Sequence, residues 1–212
     1  MWKASLGRDP QIDVSQTEPS HLKETQVSTE RVFDGQFLHV RRDTVRLPDG
    51  VLATREYIKH SGAVMVIPLL DNGRVLMERQ WRTPMGRVMV EFPAGKLDAG
   101  ESWQFCAQRE LREETGYSAA QWAYVGVINN AISYSDEAIH LTFARGLKAG
   151  RQQLDAHEFL EVFEAEPADL LSWVRDGAVT DVKTVIGAFW LDKLLSGQWE
   201  LAWQSLDAPA TT

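Results

Sequence analysis

Apolar positions along the chain change their period several times, and each change marks an element. Ala63 to Leu70 is an unbroken apolar run closed by Asp71-Asn72-Gly73, which predicts a strand buried on both faces and a hairpin turn. Val75 to Gln80 predicts the return strand, and Val88 to Phe92 another. Upstream, Phe37 to Val45 and Val51 to Ile58 predict strands joined by Leu47-Pro48-Asp49-Gly50, with proline entering the turn and glycine leaving it. Downstream, Ala123 to Ile128, Ile139 to Ala144 and Phe159 to Glu164 predict three more. Helical signals replace the strand pattern at Ser102 to Thr115, bounded by Gly100 and Gly116. They recur at Pro167 to Arg175, which opens on proline, and at Asp181 to Leu195, which opens on an acidic cap. In that last helix Val185, Phe189 and Leu191 or Asp192 trace the faces. Residues 1–28 show no clean period and predict a flexible or loosely packed leader. Strands, helix, strands, two helices: the order predicts an α+β domain with a mixed sheet.

Composition narrows the class. In 212 residues, 44% hydrophobic and 25% charged, wholesale disorder is excluded. No apolar run approaches membrane-spanning length, and Met1 to Glu30 lacks the apolar segment of a signal peptide, so the expectation is no membrane. Cys106 is the single cysteine and can form neither an intrachain disulfide nor a thiolate zinc site, which points to a reducing cytoplasm. With 22 basic against 30 acidic residues and Arg41-Arg42 as the basic doublet, no phosphate-tracking face emerges and nucleic acid is not an expected partner.

One segment carries more than packing. From Gly95 the spacing runs five residues to Glu101, seven more to Arg109-Glu110-Leu111, one to Glu113-Glu114 and one to Gly116-Tyr117. On a helix, Glu110, Glu113 and Glu114 share one face, while Trp103, Ala107 and Leu111 form the stripe that would anchor it to a sheet. Arg109 is one residue off that face, and by spacing alone points elsewhere. Like charges so placed repel unless a cation sits among them, and clustered hard oxygens suit Mg²⁺ or Mn²⁺. A solvated acidic face is the competing reading of the same residues.

Gly95 to Tyr117 resembles the Nudix box at every fixed position, with Tyr117 at a packing position where an aliphatic residue is commoner. Such a match arises by chance in roughly one chain in 10⁷ at average residue usage, which favours the cation reading. The resemblance implies the Nudix fold, a mixed sheet sandwiched between helices with an N-terminal antiparallel strand extension. It divides the chain into a strand subdomain at 29–60, implied to dimerise, and a hydrolase domain at 61–200. It also implies metal-dependent cleavage of a nucleoside diphosphate linked to another moiety, with Mg²⁺ as cofactor and Mn²⁺ as an alternative. Glu110, Glu113, Glu114 and the Ala94 carbonyl resemble the family's metal ligands, and Arg109 the residue that orients the carboxylates.

The likeness extends over roughly residues 31–197 to the ADP-ribose pyrophosphatase branch. It is carried by Arg79-Gln80-Trp81-Arg82, by Glu91 to Leu97, by Ser135-Asp136-Glu137, by Leu154 to Glu161 and by Gly177 to Thr184. On that basis Arg55, Arg82 and Glu137 resemble substrate-binding residues, and a guanidinium fork suits phosphate oxygens. Arg79 and Arg82, three apart on a strand, face opposite sides, and Arg82 is the one favoured. Glu158 is the candidate general base, with Asp155, Glu161 and Glu113 as alternatives. Ala131-Ile132-Ser133-Tyr134 stands where ADP-ribose enzymes carry a proline, so GDP-mannose or another nucleoside diphosphate sugar stays open beside ADP-ribose. A non-catalytic nucleotide sensor is the reading from another class. Related enzymes are homodimers whose N-terminal strands help bind the base, which implies the same assembly here.

Overall fold

The computed structural model describes residues 19–206. The chain forms two units that divide between Ile58 and Lys59. In the first, strands β1 (Thr25–Asp34), β2 (His39–Arg46) and β3 (Leu52–Lys59) make a sheet in that order, with β1 and β2 antiparallel. β1 begins at Thr25, inside the stretch expected as a leader. Its ten residues are all exposed, so neither face is selected for apolar side chains, and the alternation that betrays a half-buried strand never arises. The part of the expected leader before residue 19 lies outside the described residues.

The second unit contains β4 (Ala63–Pro68), β5 (Val75–Arg82), β6 (Arg87–Glu91), β7 (Ala94–Lys96), α1 (Trp103–Thr115), β8 (Tyr117–Asn129), β9 (Ala138–Ala149), β10 (Leu160–Ala165), α2 (Pro167–Arg175) and α3 (Val182–Leu195). They build a mixed sheet of order β7-β4-β9-β8, with β4 and β9 parallel, and an antiparallel sheet of order β10-β5-β6. The pleat of β4 explains its unbroken apolar run. Val64 and Val66 point into a cluster with Cys106, Ala107 and Leu111 of α1, while Met65 and Ile67 point into one with Leu170 of α2 and Leu191 of α3. Helices therefore cover both faces of the β4 sheet, and each fully buried aliphatic side chain contributes about 1.5–3 kcal/mol.

Two helices depart from their expected details. α1 starts at Trp103, one residue after the expected start at Ser102, because the Ser102 hydroxyl accepts from the Phe105 amide at 3.3 Å and caps it. In α3 the buried residues are Thr184, Gly187, Ala188 and Leu191, so Leu191 faces the core while Phe189 is half exposed. The cause is close packing. A Cβ on Gly187 would lie 2.8 Å from Met65 Cε and 2.9 Å from Phe92 Cε2, so small residues, and not Phe189, meet the sheet.

Candidate active site

The C-terminal half of α1, the β6–β7 corner and the loop at 150–159 come together at one edge of the second unit. Ala107 and Leu111 are fully buried beneath the helix, and Trp103 packs partly against the same cluster, stacking on Tyr124 with ring centroids 4.5 Å apart. This anchoring turns Glu110, Glu113 and Glu114 toward that edge. Gly116 ends the helix in the left-handed region at φ 77°, which suits glycine. The following loop is laced to the last turn. Gly150 N donates to Gly116 O at 2.8 Å, Gln153 N to Glu113 O at 2.9 Å, and Gln152 Nε2 to Glu114 O at 2.5 Å.

Arg109 does not point away, as spacing alone suggests. Its Nε and Nη2 grip Glu101 as a fork at 2.9 Å each, Nη1 reaches Glu110 at 2.7 Å and Glu113 at 3.1 Å, and Nη2 also donates to Lys96 O at 3.1 Å. The long side chain folds back along the helix, so a residue one step off the acidic row still bridges it. Gly95 makes room for this arrangement: a Cβ there would sit 1.8 Å from Glu110 Oε1. Burial pushes Glu110 up to about 7 against the pull of Arg109.

Glu114 lies deepest, at 4% exposure, with Oε2 accepting from Ala94 N at 3.0 Å. Burial, then the charges of Glu78, Glu110 and Glu158, hold it well above the usual carboxylate range. Glu158 sits on the laced loop, where Oε1 accepts from Gln80 Nε2 at 3.3 Å and Oε2 from Asp155 N at 3.4 Å. Its neighbour His157 is held in the left-handed region at φ 70°. Arg82 forms a fork onto Glu91 at 2.6 and 2.9 Å, and Lys183 closes on the same carboxylate and on Asp181 at 2.9 Å. Burial raises Glu91, but these cations outweigh it and keep the group below its ordinary value.

The other expected residues lie apart from this cluster. Arg79, on the opposite face of β5, pairs with Glu161 at 2.5 Å and stands over the Phe163 ring at 5.6 Å. It borders an apolar cleft of about 380 Å³ with Val90, Phe163, Trp173, Ala178 and Val179. Glu137 lies 3.6 Å from His60 and accepts from Asn130 Nδ2 at 3.3 Å, so it braces the loop before β9. Arg55 belongs to the first unit, on β3, and its guanidinium is held by Glu24 at 2.5 and 3.0 Å.

Sequence reasoning passed over Glu78, Gln80 and Lys183, and gave Glu91 no role of its own. Glu78 is wholly buried on β5 directly opposite Glu91 of β6, and neither of its carboxylate oxygens has a hydrogen-bond partner. Burial and the Glu91 charge push it up to about 8. The available signal was an acid ending the apolar run Val75-Leu76-Met77, but such a residue reads equally as a strand entering solvent.

Among the described residues no three acidic, histidine or cysteine side chains are already gathered as a metal cage. The donor set nonetheless fits a hard dication. Its oxygens are carboxylates, and both Glu114 and Glu78 are buried without a cation paired to either.

The NUDIX domain family matches residues 59–185, and the nucleoside diphosphate sugar hydrolase N-terminal domain family matches residues 24–58. The chain belongs to the Nudix family of hydrolases. Among its relatives is an ADP-ribose pyrophosphatase of Bacillus subtilis, 38% identical over 165 residues, covering 77% of this chain and 89% of the relative. The methanol dehydrogenase activator of Bacillus methanolicus is 36% identical, covering 80% and 93%. A solved structure described as an ADP compounds hydrolase superposes with a TM-score of 0.76 at 24% identity, covering 85% of this chain and 98% of that one. That likeness bears on the fold alone.

Proposed function

We propose that the protein hydrolyses the diphosphate bond of a nucleoside diphosphate sugar, with ADP-ribose, giving AMP and ribose 5-phosphate, as the foremost substrate. The observation that carries this reading is the deep Glu114 carboxylate, bonded to the Ala94 amide and surrounded by Glu110, Glu158 and Glu78 with no cation of its own. The match of residues 24–58 to a nucleoside diphosphate sugar hydrolase domain, and the ADP-ribose pyrophosphatases among the relatives, support the substrate class.

Glu110, Glu113, Glu114 and the Ala94 carbonyl would hold Mg²⁺ or Mn²⁺. When bound, such an ion neutralises diphosphate oxygens and lowers the pKa of a coordinated water. Glu158, tethered by Gln80, is placed in this reading to accept the proton of the attacking water. Arg109 holds Glu110 and Glu113 in orientation through the Glu101 fork. Arg82 spends Nε and Nη2 on Glu91, which leaves Nη1 for a phosphate oxygen. Arg55 serves as the substrate-contacting arginine of the first unit, and Glu137 acts through the loop that it braces. The exposed apolar residues of the first unit, Val27, Val32, Phe33 and Leu52 among them, support a homodimer in which a second copy covers them.

A substrate panel tests the reading. ADP-ribose, GDP-mannose and other sugar nucleotides are offered with Mg²⁺ and with chelator, and phosphate release is read after phosphatase coupling. ADP-ribose should turn over fastest, and only with metal. Preference for another sugar nucleotide overturns the choice of substrate, and no turnover of any substrate favours a nucleotide sensor.

A further inference from the structure

Buried polar atoms without a partner are rare in folded proteins, and each demands a cause. Among the described residues such atoms include Asp43 Oδ1, both carboxylate oxygens of Glu78, and Gln80 Oε1. The last three lie on one face of β5, because residues two apart in a strand share a side. All three are oxygens. The Gln80 amide orientation is fixed by its Nε2, which donates to Glu158 Oε1 at 3.3 Å and leaves Oε1 unused. The Gln80 contact with Glu158 places this face of β5 beside the candidate site, and the charge of Glu78 also acts on Glu114.

Among the described residues the cations nearest these oxygens are already engaged by other carboxylates, and Lys183 and Arg82 act on Glu78 only from a distance. Lys183 is shared between Glu91 and Asp181, Arg82 forks onto Glu91, and Arg109 is distributed over Glu101, Glu110 and Glu113. Hydrogen bonds among the described residues do not reach Glu78 either. A carboxylate buried without compensation costs several kcal/mol, so an uncompensated one on an otherwise well-packed strand needs a ligand to justify it.

We propose that Glu78 is a further carboxylate of the cation site, contributed by strand β5, and that the divalent cation neutralising Glu114 also neutralises Glu78, with Gln80 Oε1 as an additional neutral oxygen. This rests on the reading of α1 as the cation site and extends it beyond the helix. The metal locus is thereby bounded on the sheet side as well as the helix side. Glu78 carries a stability penalty in the metal-free protein that binding removes.

The test is a Mn²⁺ titration followed by electron paramagnetic resonance, with thermal melts in chelator and in Mn²⁺, on the full chain. Wild type is compared with Glu78→Gln, Glu78→Leu, Glu114→Gln, and Glu30→Gln as an exposed control. Both Glu78 variants should melt at or above wild type in chelator, since a buried carboxyl without a hydrogen-bond partner is gone. They should bind Mn²⁺ at least about tenfold more weakly, in the range that loss of a supporting group at a metal site produces. Their melting gain on adding Mn²⁺ should shrink, while Glu30→Gln behaves as wild type. Wild-type Mn²⁺ affinity in both Glu78 variants, or a lower melting temperature in chelator, overturns the role of Glu78 alone. A wild-type protein that takes up no Mn²⁺ overturns the helical site on which it rests.

Discussion

Gly95 holds its place through a distance and not through its backbone angle. Any side chain there would occupy the space of the Glu110 carboxylate, 1.8 Å from Oε1, whereas the rest of the corner is indifferent to a methyl group. Glu110 is the far end of a flexible side chain and can swing away. Gly95→Ala should therefore fold normally by circular dichroism yet lose about 10- to 100-fold in metal affinity or turnover. Unaltered kinetics would show that the Glu110 position is immaterial. Glu110 also sets a pH dependence. Its carboxyl is raised from an ordinary value of 4.5 to about 7, so between these values the metal-free native state keeps a proton that the unfolded chain releases. Stability from this group is thus present at low pH and falls as pH rises through that window. In chelator, wild type and Glu110→Gln should melt alike near pH 4, and the variant should gain on wild type toward pH 7. A constant gap across the window counts against burial as the cause.

At the scale of elements, what could be read from the chain depended on whether burial imposed a period. The box helix was legible because Ala107 and Leu111 must meet the sheet while fixed spacings place Glu110 and Glu114 at its margin. β4 was legible as doubly buried, since both of its faces pack. β1 was not, because exposure on both faces removes any preference. α3 was found with Leu191 inward, but Phe189 stays half exposed, since size and not hydropathy decides which residues fit a tight interface. Gly187→Val makes this measurable: its side chain would meet Met65 and Phe92 and should cost about 1–3 kcal/mol in denaturant unfolding. Phe189→Ala, half exposed, should cost less, and the reverse order would return Phe189 to the core. In the site, the fork of Arg109 and the orphaned Glu78 escaped sequence reasoning for a shared reason. Long-range pairing of strands and the reach of a long side chain leave no fixed spacing to read.

At the scale of the whole molecule, the first unit is a sheet whose outermost strand has no buried residue, and Phe33 and Leu52 stand exposed. A three-stranded sheet needs an apolar face covered to be stable. In the homodimer proposed above a second copy supplies that cover, and light scattering should then find two copies in solution. Phe33→Glu combined with Leu52→Glu should give a monomer, and its KM for ADP-ribose should rise about tenfold or more if a second copy completes the base pocket. An unchanged KM in a verified monomer separates assembly from substrate binding.

The grip of Arg109 on Glu101, Glu110 and Glu113 has a consequence for the life of the protein before it ever works. A guanidinium built into the chain quiets the repulsion along the acidic row during synthesis, so the helix can form in ion-poor surroundings and wait. On the proposed reading of the cation site, loading is then a late and reversible event, and chelator should leave a folded protein that accepts the ion again.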